Sequence, residues 1–164
     1  MTLYHGSNTV VEKPDLSFSR LRTDFGRGFY LTPVKTQAES WARRFLREGG
    51  AAILSSYEFP FEPGVEPTHG LRVREFGDHD EEWLNFISDC RSGKNVGAEW
   101  DLVIGGVAND KVFDTLQLYF DKLIDAAEAI GRLRYNRPNL QYCFKTQSVI
   151  DGRLRFTGSE EVRL

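Results

Sequence analysis

An α+β domain is the fold class this sequence predicts, and three observations predict it. Short apolar or aromatic runs bounded by Gly, Pro or Asn recur along the chain, as strands do. Between them lie stretches with apolar residues at helical spacing. The two kinds do not alternate regularly, so a doubly wound parallel sheet is not expected. With 164 residues, no repeat and no linker longer than the stretch 64–70, the chain reads as a single domain, 1–164.

Residues 2–5 form a strand stopped by Gly6-Ser7-Asn8. Residues 24–32 are a loop running into a short strand, blocked by Pro33. Thr36, three residues before Glu39, has the spacing of a capping box. The helix behind it, 37–47, carries Ala38, Trp41, Ala42 and Phe45 on one face, and Gly49-Gly50 ends it. A strand over 51–61 follows. The next helix, 80–91, buries Trp83, Leu84, Phe86, Ile87 and Cys90. Its acidic start (Asp80, Glu81, Glu82) and basic end (Arg91) suit the helix dipole. Residues 101–105 are an apolar strand. A long helix is predicted over 110–133, capped by Asn109, with the stripe Val112, Phe113, Leu116, Phe120, Leu123, Ile124, Ala127 and Ile130. Pro138 forbids helix before a strand at 140–146, and 154–164 ends the chain as a strand.

Charge and composition exclude several classes. Lys and Arg total 21 against 24 Asp and Glu, giving a net charge of −3, so bulk charge does not mark a nucleic-acid protein. No apolar run approaches the roughly 18 residues of a membrane span. Met1 to His5 hold neither a basic segment nor an apolar run of a secretory leader, so a cytoplasmic protein without a membrane partner is expected. Cys90 and Cys143 lack metal or redox spacing, and no metal is expected. Gly26-Arg27-Gly28 lacks the third Gly of a dinucleotide fingerprint, and Gly105-Gly106 lacks the Lys-Ser/Thr of a P-loop.

The candidate chemistry is a short set. His5, where a strand meets Gly6 and Ser7, is either a hydrogen-bond donor at a cleft mouth or a structural residue at a strand end. In Phe25-Gly26-Arg27-Gly28-Phe29-Tyr30-Leu31-Thr32, paired glycines among aromatics describe a backbone passing close to something planar, or an ordinary turn into a core strand. Tyr30 offers a ring face and a hydroxyl. Trp41 would close a stacking sandwich with it, or serve as core. Arg43, Arg44 and Arg47 form a solvated face or meet phosphates. Gln141 alternates with Leu140 and Tyr142 on a strand, facing a cleft or solvent. Asp101, Asn109 and Asp110 read first as caps and turn residues.

In order, these pieces resemble the ADP-ribosyltransferase superfamily, on the diphtheria-toxin-like branch that includes poly(ADP-ribose) polymerases. Leu3-Tyr4-His5-Gly6-Ser7 resembles its His-Gly strand, and 25–32 its Gly-x-Gly-x-Tyr element. The helix around Trp41 is similar to the one bearing a second stacking aromatic. Asn139-Leu140-Gln141-Tyr142-Cys143-Phe144 resembles the third strand, where Gln141 replaces the usual Glu. The whole chain is similar to a bacterial family of toxin-like members, with Trp83-Leu84-Asn85-Phe86-Ile87 and the stretch 101–110 in its pattern. The resemblance implies a split β-sandwich with an NAD cleft between two small sheets flanked by helices. It implies catalytic roles for His5, Tyr30 and Gln141, and NAD contacts from His5, Gly6, Ser7, Gly28, Tyr30, Thr32 and Trp41. The implied activity is mono-ADP-ribosyl transfer from NAD to a protein or nucleic-acid acceptor, by a toxin with a neutralising antitoxin partner. An NAD glycohydrolase and a non-catalytic NAD or ADP-ribose binding module are the alternatives. The amide at 141 argues against chain elongation, because it takes up no proton at neutral pH. Asp110 is the candidate to supply a base instead.

Overall fold

A computed structural model describes residues 1–60, 62–77, 79–108, 110–133 and 139–163, without the side chains of Asp110 and Lys111. The elements are β1 (Thr2–Ser7), a 3₁₀ turn at Leu16–Phe18, β2 (Phe29–Leu31), α1 (Lys35–Arg47), β3 (Ile53–Glu58) and β4 (Val73–Glu75). There follow α2 (Glu81–Arg91), β5 (Leu102–Gly106), α3 (Asp110–Phe120), α4 (Ala126–Leu133), β6 (Leu140–Phe144), α5 (Gln147–Arg153) and β7 (Arg155–Glu161).

The strands form two sheets, ordered β1-β3-β7 and β2-β6-β5-β4. Every pairing is antiparallel except β4 with β5. The sheets touch where Tyr4 and Thr32 form an antiparallel bridge, Tyr4 N–H to Thr32 C=O at 2.8 Å and the reverse at 3.0 Å. The expected α+β class with two small sheets is what the structure shows.

Three apolar cores hold this arrangement. β5 and β6 are sandwiched, so their alternate residues feed opposite cores. Leu102, Ile104 and Phe144 join Leu3, Leu31, Tyr57 and Phe59. Val103 and Cys143 join Phe25, Trp83, Leu84, Ile87, Val112 and Leu116 from the helical side. The third core seats α1 on the smaller sheet through Ala38, Ala42, Ala52, Leu54 and Val162. No helix among the described residues is long and apolar enough to cross a membrane.

Several expectations are corrected. Helix α1 starts at Lys35 with Val34 at its N-cap and no side-chain cap, so Thr36 lies inside the first turn. Thr32 orders the entry instead, its Oγ1 accepting the Val34 N–H at 3.1 Å. The buried stripe of α1 is Ala38 and Ala42, while Trp41 is 48% exposed. Only small residues let this helix approach β1. The predicted long helix is two. Lys122 takes the left-handed conformation (φ 58°), its N–H bonds Tyr119 C=O at 3.0 Å, and the Leu123 N–H bonds Leu118 C=O at 2.9 Å. That closes α3 as a Schellman motif without its usual Gly. Asp125 then caps α4 by accepting the Glu128 N–H at 2.8 Å. Phe113 and Leu123, placed in the predicted stripe, are 44% and 71% exposed. Helix α2 matches the reading, with Asp80 as its cap, accepting the Trp83 N–H at 2.8 Å. Strand β4 and helix α5 were not anticipated. Asn109 and Pro138, and the strand ends at 61 and 164, lie outside the described residues.

Candidate functional site

The three positions singled out lie on three neighbouring strands, with the His5 ring on the opposite face of the sheet from the Tyr30 and Gln141 side chains. His5 is on β1, Tyr30 on β2 and Gln141 on β6. β2 pairs with β6 through Tyr30↔Cys143 and Leu31↔Tyr142, so the next step of that register sets Thr32 opposite Gln141. Thr32 in turn bridges to Tyr4, which makes β1, β2 and β6 neighbours at the seam between the sheets.

Beyond that bridge β1 and β2 part. Tyr4 spends both its N–H and its C=O on Thr32. Gly6, two residues on, points its own N–H and C=O to the same edge. Among the described residues the Tyr4–Thr32 bridge is the one backbone pairing across this seam, so Gly6 presents a donor and an acceptor to the gap. Why residue 6 is glycine is a separate matter. A Cβ there would lie 2.2 Å from the Ala38 carbonyl oxygen and 2.9 Å from the Ala42 nitrogen, so α1 seats directly on it.

His5 closes the gap from one side. Its Nδ1 lies 2.8 Å from the Tyr30 carbonyl oxygen, which can only accept, so Nδ1 carries the proton. Burial outweighs that bond and lowers the imidazole pKa, favouring the neutral ring. Nε2 is then a lone-pair acceptor without a protein partner among the described residues. The expected donor at the cleft mouth is therefore an acceptor. The ring packs on Phe29 at 4.6 Å between centroids, on the opposite face of β2 from the Tyr30 side chain.

Tyr30 is used by the fold. Its hydroxyl donates to Gly26 C=O at 2.6 Å, accepts the Phe25 N–H at 3.0 Å and meets Thr23 Oγ1 at 2.8 Å. Burial raises its pKa well above the ordinary value. It offers no free hydroxyl to a ligand, contrary to expectation. Lys145 reinforces the same turn by donating to the Phe25 and Arg27 carbonyls.

Gln141 is 7% exposed and its amide is oriented by its neighbours. Nε2 donates to Asp24 Oδ2 at 3.0 Å and to Gly106 C=O at 3.2 Å. Both neighbours accept, which fixes Nε2 inward. Oε1 is left without a protein partner among the described residues and is not sealed from solvent. Asp24 is the residue sequence reasoning missed. It is 9% exposed, accepts the Ala108 N–H at 2.9 Å, and pairs through Oδ1 with Arg91 at 2.5 Å. Its one sequence signal was its place directly before the glycine–aromatic element.

Most of the remaining candidates are committed to the fold. Ser7 Oγ donates to Thr9 C=O at 2.6 Å. Gly28 is clamped by Ser19 Oγ at 2.8 and 2.9 Å, and a Cβ there would lie 2.2 Å from Cys143 Sγ. Thr32 Oγ1 serves the α1 entry. Trp41 makes no ring contact with Tyr30 and instead carries the Arg44 guanidinium 4.3 Å above its ring. Asp101 is a structural clamp, bound by Arg72 at 2.8 Å and Thr146 Oγ1 at 2.8 Å. Asp110 opens α3, and its side chain lies outside the described residues. No group of three or more His, Cys, Asp or Glu among the described residues is placed to hold a metal. Two open cavities lie away from the seam. One of about 590 Å³ is at the α3–α4 corner beside Lys122 and Leu123, the other of about 330 Å³ between Pro60 and Arg153. Neither is lined by His5, Gly6, Tyr30 or Gln141.

Residues 1–156 match a family profile described as "Protein of unknown function (DUF3990)". Comparison with curated proteins and with solved structures finds no match.

Proposed function

The chain belongs to the DUF3990 family, and from its seam we propose that it is a mono-ADP-ribosyltransferase using NAD as donor substrate, acting as a toxin on a macromolecular acceptor. One observation carries this reading: just beyond the Tyr4–Thr32 bridge, at the seam where β1, β2 and β6 meet, the peptide edge of Gly6 has no backbone partner among the described residues. A peptide N–H and C=O side by side complement a primary carboxamide, which needs one acceptor and one donor. His5 Nε2 and Gln141 Oε1 suit hydroxyl donors, which a ribose has in abundance. The Trp41 face, already holding one planar cation, suits another such as a nicotinamide ring. Arg43, Arg44 and Arg47 on the same helix supply charge for a diphosphate.

The chemistry asked of the site is cleavage of an N-glycosidic bond through an oxocarbenium-like sugar. This chain's contribution is orientation and polar stabilisation. Gly6 holds the leaving group, and His5 and Gln141 place acceptor dipoles beside the sugar hydroxyls. No group at position 141 takes a proton from an acceptor. The acceptor is therefore itself a good nucleophile, and one unit is added rather than a chain.

Incubation with labelled NAD and host macromolecules tests this, with products read by mass spectrometry. The expected result is one ADP-ribose increment per site on a macromolecule, abolished in His5→Ala. Free ADP-ribose alone would make the protein a glycohydrolase. Binding without turnover would make it a recognition module. A ladder of increments on one site would refute the account of position 141.

A further inference from the structure

We propose that Asp24 is the positioning residue of the seam: by holding the Gln141 amide nitrogen inward, it makes position 141 a neutral hydrogen-bond acceptor. The inference rests on the reading of the seam as a donor-substrate site, and deepens it by naming what selects the group presented there.

The geometry leaves little choice at position 141. The end of the side chain that faces the protein meets two acceptors, Asp24 Oδ2 at 3.0 Å and Gly106 C=O at 3.2 Å. An amide satisfies both with its two N–H bonds. An ionised glutamate in its place would set a second carboxylate against Asp24 and a carbonyl, with no proton among them. The negative charge is thus held at position 24, and there it is compensated. Arg91 binds Oδ1 through both Nε, at 3.1 Å, and Nη2, at 2.5 Å, while the Ala108 N–H binds Oδ2 at 2.9 Å. With every donor of this cluster engaged inside, position 141 offers the seam only the lone pairs of Gln141 Oε1. A site built this way favours ligands that bring hydroxyl donors and disfavours analogues lacking them.

The surroundings allow a pH test. Asp24 is faced by Gln141 of β6 and Arg91 of α2, with Cys90 of α2, Tyr30 of β2 and Cys143 of β6 electrostatically coupled to it. Burial pushes the two thiols up to about 11 and about 12 and raises the Tyr30 phenol well above its ordinary value, so neither thiol nor the phenol changes charge between about pH 4 and 8. The side chains of Asp110 and Lys111 in α3 lie outside the described residues.

Three single variants and one double variant decide the matter. In Gln141→Glu, the introduced carboxyl can donate to Asp24 while it is protonated, and cannot once it is ionised. Its folded-state pKa is therefore raised, so the stability of the variant is full at acid pH and is lost as pH rises through that value. We expect the melting temperature of Gln141→Glu to match wild type near pH 4 and to fall below it progressively toward pH 8. Asp24→Asn/Gln141→Glu should remove most of that slope, since the amide then at position 24 can donate to the carboxylate at 141. In Asp24→Asn alone the Gln141 amide is free to reverse, and NAD affinity measured by calorimetry should fall about 3–10-fold, with Gln141→Ala showing the same loss. A Gln141→Glu protein as stable as wild type at every pH would overturn the proposal, as would a slope unchanged in the double variant. Should wild type bind no NAD, the donor-site reading fails by itself, and the melting profiles still decide whether Asp24 dictates the amide.

Discussion

Glycine at position 6 answers two demands at once, and they can be separated. The backbone edge it exposes to the seam is independent of its side chain, whereas its missing Cβ is what lets α1 sit 2.2 Å from where that atom would be. Gly6→Ala should therefore cost about 3 kcal/mol, because the obstacle is helix backbone and cannot turn aside. The shift of the urea midpoint measures it. A change under about 0.5 kcal/mol would mean that α1 sits less tightly than described. At this scale the sequence was partly legible. The glycine and the histidine beside it were visible as a pair, but the roles assigned to them followed the side-chain types. Whether His5 donates or accepts depends on a carbonyl 25 residues away at Tyr30. The orientation of Gln141 depends on Asp24, 117 residues away. Spacing along a strand carries no record of such partners.

Elements were easier to read where local chemistry decides them. Asp80 followed by an acidic first turn named the start of α2, and Pro138 with the alternation that follows it named β6. Reading failed where a stop used an atypical residue. Lys122 ends α3 in the left-handed region without any Gly or Asn to announce it, and the apolar stripe continues past it as though the helix did. Lys122 is exposed, so Lys122→Gly should stabilise the protein by about 0.5–1 kcal/mol by relieving the cost of that conformation. Thermal melts report this directly, and a lowered melting temperature would show that the Lys side chain contributes more than its backbone costs. Strand β4 was missed for a related reason. Three residues long, it takes its identity from pairing beside β5 and from the Arg72–Asp101 clamp that precedes it. Those are tertiary facts.

At the scale of the whole molecule the composition was the best guide. Apolar runs long enough for sheets, and helices too irregularly spaced for a βα repeat, do give two small sheets under three cores. The two cysteines belong to that interior. Both are at most 1% exposed and their thiols are pushed up to about 11 for Cys90 and about 12 for Cys143, burial being the first cause in each. Neither should react with an alkylating reagent at pH 8 until the protein unfolds, and mass spectrometry with and without denaturant checks this. The stability conferred by keeping them neutral is complete below about pH 9 and is lost as pH rises through their folded values. The melting temperature should accordingly fall between about pH 9 and pH 11, and a flat profile would contradict their placement.

The order of strands in the larger sheet has a consequence in time. β6, residues 140–144, is inserted between β2 and β5, and it alone bridges them. Until it emerges from the ribosome, β2 has no partner on that side, position 141 does not exist, and the loop that Lys145 clamps is unclamped. The seam is therefore among the last things a nascent chain acquires. Folding must wait for contacts between residues 29–31 and 142–144, more than a hundred positions apart, a non-local arrangement of the slow kind. Through the synthesis of the 108 residues between β2 and β6 the growing chain therefore carries an incomplete seam, and the site is assembled only once β6 has emerged.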